Sequence, residues 1–143
     1  MAEQTYATHR RLVPAYHVVL SLLLLVILIG AGINVAKSIG TERLYSASLI
    51  AALTVASMFL YVFTRTFALK AQDRAIRAEE QLRHYVLAGK LLDSRLSVKQ
   101  IIGLRFASDA EFPALAKRAA DENMDPETIK KAVATWRADT YRA

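Results

Sequence analysis

Three histidines, His9, His17 and His84, carry most of the recognisable reactive chemistry in this 143-residue chain. An imidazole can ligate a metal or exchange a proton near neutral pH. His9 and His17 straddle the entry to a long apolar run, and His84 lies in a charged, helix-forming stretch. His17 is the candidate cofactor ligand, because an imidazole at the edge of an apolar segment can bind haem iron or chlorophyll magnesium axially. The second apolar run holds no histidine, so a bis-histidine site would need a second chain. The simpler assignment for His17 is a hydrogen bond to headgroup, water or a backbone carbonyl, and no cofactor is expected. His9 and His17 make a weak metal pair, being eight residues apart with Pro14 between them.

Other chemistries lack their residues. With no cysteine, disulfides, thiol catalysis and cysteine-held metals are excluded. Neither a P-loop, a dinucleotide glycine fingerprint, a His-Glu-x-x-His motif nor a serine-nucleophile elbow occurs. No carboxylate interrupts either apolar run, which argues against an intramembrane proton or ion relay. A non-enzymatic protein is therefore expected.

The elements around these residues are dominated by two apolar runs, residues 13–36 and 44–63. About 20 helical residues cover a bilayer core of ~30 Å, so each run is long enough to span. Arg10–Arg11 ahead of the first run suggests a signal peptide, but the run exceeds a usual signal core and is expected to be retained. Lys37 and Arg43 flank the short connection, whereas Arg65, Lys70, Arg74, Arg77 and Arg83 follow the second run. That asymmetry predicts both termini in the cytoplasm. Tyr16, Tyr45, Tyr61, Phe63 and Phe67 fall where aromatic anchors belong.

Between lipid-embedded helices small side chains allow close approach. Ser48, Ala52 and Ala56 on the second run, with Gly30 and Gly32 on the first, are the expected packing surface, either within the chain or with a partner. Ser46, Ser48, Thr54 and Ser57 can hydrogen-bond back to their own helix.

Residues 64–90 read as a helical extension of the second span. Ala71, Ala75, Ala78, Leu82, Tyr85 and Val86 recur at helical spacing and predict the face against which the distal helices fold. Asp73–Arg77 and Glu79–Arg83 have the stabilising acid-before-base order. Three shorter helices should follow. Ser97 and Gln100 form a capping box before 98–106, Ser108 and Glu111 could cap a helix reaching Glu122, and Asp125–Pro126 starts a last helix. In that last helix Ile129, Val133 and Trp136 should share one buried face. The final helix pair could be called helix-turn-helix, but charge there is balanced and no nucleic acid is expected. Residues 65–105 hold nine Lys/Arg against four Asp/Glu, and 106–143 hold six against seven. The excess lies beside the membrane, as anionic headgroups would require.

Several segments carry a resemblance: Gln4-Thr5-Tyr6…His9-Arg10…Pro14…His17, the stem 72–80 (QDRAIRAEE), 89–96 (GKLLDSRL), Gln100-Ile101-Ile102…Leu104-Arg105-Phe106-Ala107-Ser108, and Trp136-Arg137-Ala138-Asp139. Together they resemble a family of small bacterial two-span membrane proteins classed as a domain of unknown function. The resemblance implies that topology and carries no catalytic residues.

The expected protein is an all-α membrane protein: a flank (1–12), a transmembrane hairpin (13–67) and a cytoplasmic helical domain (68–143). It would be an accessory or interaction subunit of a bacterial inner-membrane assembly, with anionic lipids and a protein partner or second copy as its contacts. Arg74, Arg77, Arg83 and Arg105 are the expected lipid or partner contacts, with Arg105 placed for a buried pair. The alternative is a haem- or chlorophyll-bearing subunit using His17.

Overall fold

The structure, a computed structural model, describes residues 5–6 and 12–139. Among these the chain is all-helical, with one isolated β-bridge and no strand. It divides into two units, Arg11–Phe67 and a second formed by Met1–Arg10 with Ala68–Ala143.

In the first unit a π-helical turn, Ala15–Leu20, leads into α1, Ser21–Ser38. Gly40, at φ +77°, turns the chain toward α2, Leu44–Ala88. Two helices, Ala15–Ser38 and Leu44–Ala88, are long and apolar enough to cross a membrane. Their inward residues follow alternating steps of three and four: Leu24, Leu28, Ala31, Val35 and Ser38 on α1, and Ala47, Ala51, Thr54, Met58 and Tyr61 on α2. Such spacing keeps a seam nearly straight along a helix. Tyr16 stacks on Tyr61 with ring centroids 4.5 Å apart, and Ser21 Oγ lies 2.7 Å from the Tyr61 hydroxyl. Ser46, Ser48, Thr54 and Ser57 each donate to a carbonyl three or four residues back, so these four hydroxyls need no outside partner.

The expected packing stripe is not the contact within the chain, which leaves its alternative, a partner surface. Ser48, Ala52, Ala56, Gly30 and Gly32 all face outward, and a Cβ built on either glycine meets nothing within 4 Å. Steps of four drift by roughly 40° each around a helix, so Ser48–Ala52–Ala56 leaves the seam. Gly30 and Gly32 are roughly 200° apart, and Ala31 between them turns inward instead.

In the second unit α2 ends at Gly89, whose φ of +68° suits glycine. Then come α3 (Val98–Leu104), α4 (Phe112–Asp121) and α5 (Pro126–Ala132). Ser97 Oγ accepts from Gln100 N while Gln100 Oε1 accepts from Ser97 N, which completes the capping box. Gln100 Nε2 also donates to Met124 O at 2.8 Å and so ties α3 to the α4–α5 turn. Asp125 caps α5 by accepting from Glu127 N and Thr128 N. Hydrogen bonds from Thr128 and from these amides hold the Asp125 carboxyl below its usual range. Phe106, Phe112, Ile101, Leu104 and Ile129 are the largest fully buried side chains.

Two expectations change. The helix after Ser108 starts at Phe112 with Glu111 at its N-cap, and Pro113 falls in its first turn, where no N–H is needed. α5 ends at Ala132, and Val133 is extended. Trp136 therefore reaches the core from an extended strap that bridges Ala107, and packs on Phe106 at 4.7 Å.

Gly103 on α3 lies against α5. A Cβ there would stand 3.1 Å from Pro126 O and 3.3 Å from Ile129 Cγ2. Gly103→Ala is expected to destabilise the distal unit by about 1–3 kcal/mol, whereas Gly30→Ala should leave it unchanged. Fluorescence of Trp136, the chain's one tryptophan, followed through denaturant unfolding of the full chain measures both.

Candidate functional site

The richest polar cluster among the described residues lies where the last turns of α2 meet the distal helices. The stem side is Ile76, Glu80, Arg83 and His84, at i, i+4, i+7 and i+8. Glu80 and His84 are each 5% exposed. Arg83 donates from Nη1 to Glu80 Oε2 at 2.9 Å, from Nη2 to Ala107 O at 2.7 Å, and from Nε to Asp109 Oδ1 at 2.7 Å. Its guanidinium also lies 4.3 Å above the Phe112 ring centroid. Glu80 has a second cation, Arg137 Nη1, at 3.8 Å.

His84 Nδ1 is 2.7 Å from Lys90 O. A carbonyl can only accept, so Nδ1 carries the proton and the tautomer is assigned by this contact. The ring meets Phe112 edge-on at 5.7 Å. Gln81 Oε1 accepts from Leu92 N at 3.0 Å, so Gln81, Arg83 and His84, within about one turn of the stem, all bind backbone beyond Gly89.

Behind this cluster Glu111 clamps the strap. It accepts from Ser108 N, Ala134 N and Thr135 N at 3.0–3.1 Å. Burial raises its carboxyl pKa, but the hydrogen bonds from Ala134, Thr135 and Ser108 outweigh it, and the group sits below the usual glutamate range. Ser108 N→Thr135 O and Arg137 N→Phe106 O complete the attachment. At the surface Arg95 joins Asp93 and Asp121 at 2.7 and 2.8 Å. Hydrogen bonds from Arg95 hold the Asp93 carboxyl down to about 2.

The expected arginine set divides. Arg74 and Arg77 are exposed, as a lipid or partner contact requires. Arg83 is corrected: its side chain is 11% exposed and fully engaged within the distal unit, so it cannot reach a headgroup. The expected Glu79–Arg83 pair gives way to Glu80–Arg83, because Glu80 shares the buried face. Arg105 pairs with Asp139 at 3.2 Å and lies 4.6 Å over the Phe106 ring. The Ala71–Val86 stripe is also corrected: Ala71, Ala75, Ala78, Leu82, Tyr85 and Val86 are exposed, and the distal helices pack on the polar face instead.

His17 lies in the π-helical turn with Nδ1 3.1 Å from both Val13 N and Val13 O. His9 lies outside the described residues. Among the described residues no three His, Cys, Asp or Glu side chains gather as a metal site. Sequence reasoning missed Glu80, Asp109 and Glu111 as partners of Arg83 and the strap. The Ser108-x-x-Glu111 pattern was a usable signal for Glu111, but not for its reach to Ala134 and Thr135.

The fold and cluster define a small all-helical protein with two bilayer-length apolar helices and a distal unit closed around a buried arginine. The chain belongs to DUF6526, a family of unknown function whose model covers residues 1–143. No curated protein and no solved structure matches it.

Removing Arg83 takes away the close partner of the buried Glu80 carboxylate and leaves it only Arg137 at 3.8 Å. Arg83→Met is expected to destabilise the distal unit by about 3–5 kcal/mol, and adding Glu80→Leu should recover part of that loss. Trp136 fluorescence during unfolding of the full chain gives both values. Because the Glu111 pKa is lowered on folding, its contribution is complete above the ordinary glutamate range and is lost as pH falls through the lower folded value. Protection of the Ala134 and Thr135 amides from hydrogen exchange, taken relative to the intrinsic rate at each pH, should therefore be lost as pH falls below the ordinary glutamate range, and in Glu111→Gln it should already be low at pH 7.

Proposed function

We propose that this protein is a non-enzymatic, two-span membrane protein that holds a small helical domain at the cytoplasmic face of a bacterial inner membrane, as an accessory or interaction subunit. The observation that carries this reading is the outward surface of α1 and the first half of α2. Leu22, Val26, Ile29, Leu53 and Leu60 are each more than half exposed on helices of bilayer length. Water does not tolerate an apolar surface of that extent, whereas acyl chains do. Backbone satisfaction within each helix and hydroxyls bonded to their own turns suit the same solvent.

The hairpin arrangement draws support from two contacts. Tyr16 and Ser21, at the start of the first run, meet Tyr61, near the end of the second. Tyr6 Oη donates to Glu127 Oε2 at 2.9 Å, so the segment before the first run and the domain after the second share one unit. An even number of crossings satisfies that linkage. Lys and Arg around both flanks favour the cytoplasmic side for it. Arg74 and Arg77, exposed on the stem, are placed for anionic headgroups or acidic groups of a partner.

Alkaline carbonate washing of membranes from its own host tests the anchor, and gentle extraction followed by native mass spectrometry tests the subunit role. The protein is expected to stay in the washed pellet and to carry additional polypeptide mass. Release into the supernatant would overturn the membrane reading, and a bare monomer would overturn the subunit reading.

A further inference from the structure

The stem carries an outward face that the chain itself leaves uncovered. Leu82, Tyr85 and Val86 are 65%, 55% and 74% exposed, and Ala68, Ala71, Ala75 and Ala78 continue the same face upstream. Residues 68, 71, 75, 78, 82 and 85 alternate steps of three and four, the spacing of a two-helix seam. At 100° per residue this face lies roughly 160° around the helix from the Ile76–Glu80–Arg83–His84 face that binds the distal helices. The domain therefore leaves it open.

From this face we infer that a second copy of the chain docks on it, giving a parallel two-fold dimer of stems. The inference rests on the membrane reading above, because two copies inserted with one orientation present parallel stems. Charge complementarity selects the occupant. If 75 and 82 are taken as a positions and 71, 78 and 85 as d positions, Arg74 falls at g and Glu79 at the following e. In a parallel dimer each g residue meets the next e residue of the other helix. Arg74 of one copy thus faces Glu79 of the other, and symmetry makes the pair twice. Both side chains are exposed, and among the described residues neither makes an ion pair within its own chain. An antiparallel pair of stems would lose this match. Alanines at four successive seam positions let the helices approach closely near the membrane, and Leu82 with Tyr85 supplies the larger apolar contact.

The chain has no cysteine, so single-cysteine variants report directly. Ala75→Cys, Ala78→Cys, Leu82→Cys and Arg77→Cys are made in the full chain and oxidised in membranes. Disulfide dimers are expected at 75, 78 and 82, and not at 77, which points away from the seam. Like positions meet all along the seam only in a parallel pair. Glu79→Arg in the Ala78→Cys background should weaken association roughly tenfold, and adding Arg74→Glu should restore it. Equal crosslinking at 77 and 78, or none at any seam position while the protein stays in the membrane, would overturn the dimer and leave the anchor standing. Recovery of the protein in the soluble fraction would overturn the anchor itself, and the parallel premise with it.

Discussion

The distal unit depends on a buried cation. Arg83 comes from the last turns of α2, yet its donors are spent on Glu80, the Ala107 carbonyl and Asp109, while its face covers Phe112. A guanidinium can serve four neighbours at once because its donors are fixed in a plane whose faces remain apolar enough to stack. A lysine could hold one of these contacts but not the set. The arrangement makes the stem part of the domain: His84 and Gln81, on adjacent turns, bind the backbone of the segment that leaves Gly89. Short helices of seven, ten and seven residues have little stability alone, and they gain it from packing on one another and on this stem.

The two halves of α2 bury opposite kinds of face on one continuous helix. In the first half the seam of Ala47, Ala51, Thr54, Met58 and Tyr61 turns inward and the large aliphatic residues turn out. In the second half the buried face is polar and paired, and alanines turn out. The proposed lipid setting of the first half would favour that choice, since a helix among acyl chains gains nothing from hiding leucine and small or hydroxylated residues suit the contact. A helix in water can bury Glu80 and Arg83 only if they neutralise each other, which is the pairing observed.

Much of the chain's local structure was legible in its sequence. The apolar runs, the Ser97–Gln100 capping box and the Asp125–Pro126 start are local signals, set by side chains within four residues of the backbone groups they serve. Which face of the stem packs was not legible. Periodicity marked the alanine stripe, because it scores apolar residues and passes over a buried glutamate and arginine. The partners that make burial of Glu80 and Arg83 tolerable, Ala107 O and Asp109, lie more than 20 residues away in a turn, and no pattern of spacing reveals them. Trp136 was misplaced for a related reason: the register of α5 pointed it correctly toward the core, but Glu111 captures Ala134 and Thr135 and pulls the strap out of helix. The candidate site was thus readable as residues and not as an arrangement.

The measurement that bears most directly on the account is the depth profile of spin labels along α2, with the full chain in lipid vesicles. Labels at Leu53 and Leu60 should collide readily with oxygen and poorly with a water-soluble nickel complex, and labels at Arg74 and Arg77 should do the reverse. Nickel access as high at Leu53 and Leu60 as at Arg74 would contradict the division of this helix between lipid and water.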